Sequence, residues 1–586
     1  MHLSRPNITK RYWLPQKYRT ANALKIRQPA RIRRRTLSCG NSHPTGHADD
    51  RDCRTDRSCS CGELRIIELS LSTGSVTYGG STLSRRSRAF SLLGIAGLCC
   101  GCAVGPSYQP PRLPAIAAYT REVPALNAAI ATAAPASPQR LRLGADLPGQ
   151  WWTLFGSARV NALIEQGLKN YPDIAAQQAA LRAALEEVRA EAGVFYPALQ
   201  GTVGATREKI SGASIGPGFP GFISNIFQAN VNVSYAFDLF GGERRALQQL
   251  RAQALAQNFT LEASYLTLTS NIAATAIQIA SVRDQIATTR ELVAIEGKQL
   301  EFIQRRLAFG SQTRDDVLLQ ESNLAAVRAT LPALQQQLAV AEHRMTILVG
   351  GAPPTGVRFE FALADFTLPR ELPLSLPASL VAQRPDIQAQ EALVRAAGAA
   401  VGVATANLLP RLTLTGAYGG ESPKFANLLA PGSNTWSLFA GVTQPLFEGG
   451  TLRARRRAAI DVFHQARAAY RLTVLQAFQN VADTLTALDN DAQALAAEST
   501  AVAASKASLD LVQRQYRDGA VNDLALLAAE QLYQQARIAD VKTIANRFTD
   551  TVTLFQALGG GWWQRSDAGT LIPRQREDGN NAEHGP

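Results

Sequence analysis

The sequence predicts a mainly α protein with a smaller transmembrane β part, built from a strand-and-long-helix-hairpin unit that occurs twice. Three observations predict it. From the Gly-Gly turn at Gly241-Gly242 to Gly310 the chain reads as one continuous helix, with no proline and with Gly297 as its one internal glycine. Along it Tyr265, Ile272, Ile279, Ile286, Val293, Leu300 and Leu307 recur every seven residues, a seam for packing against another helix. At about 1.5 Å per residue the segment is roughly 100 Å long, far beyond an ordinary globular helix.

The second observation is that the seam returns. Val474, Val481, Leu488, Leu495, Val502, Leu509 and Tyr516 follow the first set at an offset of 209, an offset shared by Gly310 and Gly519 and by Glu321 and Glu530. Pro172-Asp-Ile returns as Pro385-Asp-Ile and Pro197 as Pro410, both shifted by 213. Leu-Phe-Gly-Gly at 239–242 returns as Leu-Phe-Glu-Gly-Gly at 446–450. A tandem duplication of this kind sets the architecture before any single element does. The third observation is a period of two ahead of each long helix. Ala229, Val231, Val233, Tyr235 and Phe237 alternate with Asn230, Asn232, Ser234, Ala236 and Asp238. Leu412, Leu414, Gly416 and Tyr418, then Trp436, Leu438, Ala440 and Val442, answer them in the second unit. Strands of about ten residues with one apolar and one polar face suit a membrane barrel, and half-buried strands of a soluble sheet are the plainer alternative. A spanning barrel needs about eight strands or more, so several chains would have to share one.

Taken in order, residues 1–84 are Arg- and Ser/Thr-rich without apolar periodicity and read as a non-native or disordered extension. Residues 85–101 have a basic start and a short apolar stretch ending in small residues, the layout of a secretory signal. Because a signal begins close to its start codon, the true start is expected near Val76 or Leu83. Residues 102–150 form a Pro/Ala-rich extended lead. Trp151-Trp152 opens the first unit, 151–352, with helix expected from Asn161 to Gly193 and broken near Tyr171-Pro172. A weak strand over Thr202–Lys209 and a Gly/Pro loop follow, then the strand ending at Phe237 and the long helix. A returning helix is expected over Asp316–Val349. Residues 353–384 read as a Pro-rich linker, 385–563 as the second unit with its return over Asp523–Leu558, and 564–586 as a disordered tail.

The formal charge is +13, yet 18 Lys+Arg against 6 Asp+Glu fall in residues 1–101, leaving 42 against 41 beyond. No basic nucleic-acid footprint therefore survives in the body. All seven cysteines lie at or before Cys102, so the body holds neither disulfide nor thiolate metal site. His343, His464 and His584 form no HExxH array and read as solvated. Gly212-Ala-Ser-Ile-Gly216 matches GxSxG but lies in a loop between strands rather than at a strand-to-helix elbow. With no phosphate-binding GxxxxGK[ST] either, no enzyme site and no cofactor is expected. Arg453, Arg455, Arg456 and Arg457 begin the second long helix, as a solvated face or as a collar near anionic head groups or a pore mouth.

Cys102-Ala-Val-Gly-Pro-Ser-Tyr, Trp151-Trp152-x-x-Phe155, Asn170-x-x-Asp173-Ile174, the Phe240-Gly241-Gly242 turn and the duplicated unit resemble the outer membrane factors of tripartite efflux pumps. These are TolC-like channels, and the likeness is greatest to the lipoprotein NodT subgroup. The resemblance implies a homotrimer in which each chain gives four strands to a twelve-stranded barrel continuous with a periplasmic α-barrel. It makes Cys102 the acylated first mature residue of a lipid-anchored outer-membrane protein, although Cys99 stands where leucine is usual. It implies a passive exit duct for drugs or other small molecules, engaged by a periplasmic adaptor and an inner-membrane RND transporter. The family closes its duct where the hairpins turn, here around Gly310 and Gly519. Asp316 and Tyr516 match positions that tie closed tips together, and Asp315 and Asp523 stand beside them. A plainer role for the aspartates is to start the returning helices, where carboxylates favour the positive end. Many members carry an acid nine residues after the second glycine; here it is Ala528, with Asp518, Asp523 and Glu530 nearest. Gly241, Gly242, Gly449 and Gly450 match the strand-to-helix turns. A type I protein-secretion duct and a structural coiled-coil lipoprotein are the competing functions, and the period-two strands argue against the latter.

Overall fold

The computed structural model describes residues 103–109, 118–120 and 139–565, apart from 215, 219 and 354–357. The extension 1–84, the signal 85–101, Cys102 and the tail from 566 lie outside the described residues.

Two long hairpins dominate. Helix α3 (Gly242–Ala308) returns through α4 (Arg314–Leu348), and α7 (Thr451–Arg517) returns through α8 (Asp523–Ala557). Both long helices have 67 residues and both returns 35, and all four pairs of bounds differ by 209. Shorter helices precede each unit: α1 (Ala158–Asn170) and α2 (Pro172–Ala192) in the first, α5 (Pro377–Gln383) and α6 (Pro385–Ala406) in the second. Pro172 and Pro385 sit at the first helical position, where a missing N–H costs nothing and the fixed φ suits the helix. Helix α4 runs through Pro332, a residue that removes one internal hydrogen bond.

The seven-residue seam holds only in part. Ile272, Ile279 and Ile286 are buried, but farther down α3 burial passes to Leu292, Ile295 and Ile303, while Val293, Leu300 and Leu307 are half-buried. A straight helix drifts about 20° per heptad against a strict seven-residue repeat, so the contact face walks off the sequence seam. In α7 the seam survives better, with Val474, Val481, Leu488, Leu495 and Leu509 buried.

The strands form one antiparallel sheet in the order β2 (Ala198–Ile210), β3 (Phe222–Phe237), β5 (Arg411–Ser422), β6 (Asn434–Thr443). Strand β2 is longer than the weak strand expected, pairing with β3 from Ala198↔Ser234 to Ile210↔Phe222. The β3–β5 ladder joins the two units, from Phe227↔Ser422 to Phe237↔Leu412. All four junctions with helices (after α2, after β3, after α6, after β6) fall at one end of this sheet. Gly241 (φ 75°) and Gly450 (φ 85°) are the residues that precede α3 and α7; only a residue without Cβ takes this left-handed turn at no cost.

The lead, expected as extended chain, and the Pro-rich linker also make structure. Strand β1 (Arg140–Leu143) pairs in parallel with β4 (Glu371–Leu374), and Leu372 and Leu374 are buried. Four-residue strands in Pro-rich surroundings are too short for alternation to be legible. Nearby, Trp151 packs edge-on against Phe555 with centroids 5.7 Å apart, and Phe155 against Phe548 at 6.2 Å. This cluster fastens the start of the folded body to α8 and forms the centre of the core. Among the described residues no helix is long and apolar enough to cross a membrane.

Candidate functional site at the helix-hairpin tips

Each hairpin turns through the same device. Gly310 and Gly519 both have φ of 73°. Gly310 N–H donates to Leu307 O at 2.9 Å and Ser311 N–H to Arg306 O at 2.9 Å. At the second tip Gly519 N–H donates to Tyr516 O at 3.1 Å and Ala520 N–H to Gln515 O at 2.8 Å. This is the Schellman arrangement, which satisfies the last helical carbonyls and needs a left-handed residue.

The returning helices start differently. Thr313 caps α4: its Oγ1 accepts from Asp316 N–H at 3.3 Å, while Asp316 Oδ2 accepts from Thr313 N–H at 2.9 Å and Thr313 Oγ1 at 2.7 Å. These bonds from the Thr313 hydroxyl and amide hold the Asp316 carboxyl below its ordinary range. At the second tip Asn522 Oδ1 accepts from Ala525 N–H at 3.0 Å. Tyr516 Oη donates to Asp523 Oδ1 at 2.6 Å, which pushes the phenol pKa up. Within one chain the fold thus brings Tyr516 to Asp523 and Asp316 to Thr313; it does not bring Asp316 to Tyr516. Asp315 is exposed and makes no hydrogen bond among the described residues. Ala528 is half-buried on α8.

Two buried polar clusters, one per hairpin, were not found from the sequence. In the first, Gln320 Nε2 donates to Glu296 Oε2 at 2.6 Å and to Gln299 Oε1 at 3.3 Å. All three side chains are under a tenth exposed, Glu296 at 1%. In the second, Arg547 is 4% exposed and donates to the Leu488 carbonyl. Asp491 and Asp550 flank it, and burial with the facing Asp491 carboxyl pushes Asp550 up to about 7. Burial pushes Arg547 down, against the pull of Asp491, Asp550 and Asp489. The available signal was a charged or amide residue on the inward face of a helix otherwise lined by Ala, Leu and Val.

Two long helix hairpins and a sheet with exposed apolar residues suit a duct-forming protein, and the comparisons agree. The family model described as outer membrane efflux protein matches residues 163–351 and 376–560, and the chain belongs to that family. It is 30% identical over 421 residues to the pyoverdine export outer membrane protein OpmQ of Pseudomonas putida, covering 71% of this chain and 89% of that protein. To the toluene efflux pump outer membrane protein TtgC of Pseudomonas putida it is 27% identical over 472 residues, covering 80% and 94%. Among solved structures, the outer-membrane channel OprN superposes with a TM-score of 0.69 at 26% identity, over 79% of this chain and all of that one. The Campylobacter jejuni CmeC channel gives 0.70 at 19% identity over 80% and 98%, a likeness of fold alone. The protein is an outer-membrane efflux channel of the tripartite kind, a transport duct and not an enzyme.

Proposed function

We propose that the chain is the outer-membrane exit duct of an RND-type efflux system for small molecules and works as a homotrimer. The two units arose by tandem duplication. Each chain contributes its four strands to a twelve-stranded barrel and its long helices to a periplasmic α-barrel. The observation that carries this reading is the sheet. Its outer strands β2 and β6 are edges, and its exposed residues include Val203, Val231, Tyr418, Trp436, Leu438 and Val442. An edge of unpaired backbone does not persist in a bilayer, so β2 of one copy must pair with β6 of the next until the barrel closes. A coiled-coil lipoprotein has no use for such a sheet, and a protein-secretion duct is disfavoured by relatives named for pyoverdine, toluene and antibiotic export.

Acylation of Cys102 fits the path of the lead. Val104 N–H donates to Phe240 O at 3.0 Å, Arg245 Nε donates to Val104 O at 3.1 Å, and Tyr108 Oη donates to Glu391 Oε1 at 2.6 Å. The residue after Cys102 therefore lies at the strand-to-helix turn, where a lipid anchor meets the membrane surface. The tips form the gate that a periplasmic adaptor and the inner-membrane transporter open. Asp316 of one copy and Tyr516 of another are its latch, with Asp315 and Asp523 at its rim.

Single-channel conductance of the membrane-extracted protein, with its mass in detergent, tests the reading. A trimeric mass with small ohmic steps is expected, and Asp316→Ala or Tyr516→Phe raises the conductance. A monomer without conductance overturns it.

A further inference from the structure

The first two turns of α7 carry Arg453, Arg455, Arg456 and Arg457, with no acidic residue between Glu448 and Asp461. All four arginines are exposed. Arg456 Nε donates to Thr405 Oγ1 at 3.2 Å, and none of the four enters an ion pair among the described residues. The corresponding junction of the first unit holds two ion pairs. Arg244 pairs with Asp238 at 3.0 Å and Arg411 with Glu243 at 3.2 Å. Four like charges within five residues repel one another, and no carboxylate among the described residues pairs with this cluster.

The residues just before the cluster are apolar and exposed. Leu446 and Phe447 are 92% and 88% exposed. They follow the end of β6, whose Trp436, Leu438 and Val442 are 75%, 70% and 68% exposed. Along the chain the order is an apolar strand face, an exposed aromatic, then a basic cluster within about 10 Å of the helix start. A bilayer presents its layers in that order: hydrocarbon, boundary, anionic headgroups.

We propose that Arg453, Arg455, Arg456 and Arg457, with Leu446 and Phe447, form a docking surface for anionic phospholipid headgroups at the periplasmic face of the outer membrane. The proposal rests on the reading of the sheet as one part of a membrane barrel. Each guanidinium forks onto two phosphate oxygens, and the two apolar side chains enter the acyl boundary beside them. The collar thereby fixes the depth of the duct at the second junction, where the first junction uses its own carboxylates and the anchored lead.

The test uses the full chain reconstituted in phosphatidylcholine vesicles with and without phosphatidylglycerol. Lipid held around the protein is quantified alongside conductance and detergent mass. Wild type is expected to enrich phosphatidylglycerol, less so at high salt, with the enrichment falling about fivefold for each arginine changed to glutamine. The quadruple Gln variant should keep its trimeric mass and conductance, and the quadruple Lys variant should retain only the part of the enrichment that charge without the bidentate fork supplies. A conducting wild type without enrichment, or a Gln variant that enriches equally, overturns the proposal alone. So does a Gln variant that falls to monomers with its lipid preference intact, since the arginines would then serve contacts between copies. A wild type that neither inserts nor conducts overturns the barrel reading, and this proposal with it.

Discussion

The two hairpins have the same lengths and the same turns, yet the Glu296–Gln299–Gln320 cluster of the first and the Arg547 cluster of the second lie at different heights along them. Near the first tip lie Glu296, Gln299 and Gln320; the residues 209 positions later are Ser505, Ser508 and Ala529. High in the second hairpin lie Asp491, Arg547 and Asp550; the residues 209 positions earlier are Val282, Leu338 and Ala341. One backbone design therefore carries two different distributions of specificity. A buried hydrogen-bonded polar group adds little net stability but penalises any sliding that separates it from its partner. The first hairpin is held in register close to its turn, and the second close to the core around Trp151.

The largest effect is expected at Arg547. Arg547→Ala removes the charged donor to the Leu488 carbonyl and the cation near the half-buried Asp491 and Asp550, and should cost about 3 kcal/mol. It should appear as a lowered unfolding midpoint, with faster hydrogen exchange in α7 and α8. Copying the first hairpin's residues, with Asp491→Val, Arg547→Leu and Asp550→Ala together, should instead be neutral or stabilising. A triple variant as unstable as the single one would break the comparison.

Gln320→Leu comes next. It strips Glu296 of its donor in a site where that residue is 1% exposed, for about 1–3 kcal/mol. Exchange should quicken at the first tip and stay unchanged at the second.

A smaller effect separates the hairpins by pH. The folded state raises Asp550 from its ordinary 3.8 to about 7, so folding favours the protonated carboxyl. The associated stability is complete below the unfolded value and is lost as pH rises through about 7. Protection factors in α7 and α8, corrected for the intrinsic rise of exchange with pH, should therefore fall between about pH 4 and 7, Asp550→Asn should flatten the profile, and the first hairpin should not follow. Asp316 has the opposite sign: its carboxyl is held low, so the cap it makes with Thr313 is present above the ordinary carboxylate range and fades as acid protonates it.

The smallest effects are the caps. Thr313→Ala and Asn522→Ala each remove an acceptor from a helix start and should cost about 1 kcal/mol, read as local fraying by exchange.

The outline of the fold was legible in the sequence for a physical reason. Helices and strands write their period into the chain, and a duplication writes it twice. The long helices, the order of strands along the chain and the turns at Gly310 and Gly519 followed from that, while the efflux family was read from a resemblance of motifs such as Trp151-Trp152-x-x-Phe155. That Asp316 and Asp523 stand at the starts of the returning helices was also local enough to read, but their partners Thr313 and Tyr516 and the cap Asn522 were not. What the sequence alone could not decide were contacts between segments far apart. The pairing of β1 with β4 joins residues about 230 positions apart. The walk of burial from Ile286 to Ile303 depends on which helix lies opposite each turn. The meeting of Arg547 with Leu488, and of Tyr516 with Asp523 rather than Asp316 inside one chain, depends on how each returning helix docks. Periodicity fixes which face of an element is apolar; only the packed structure decides which partner that face meets.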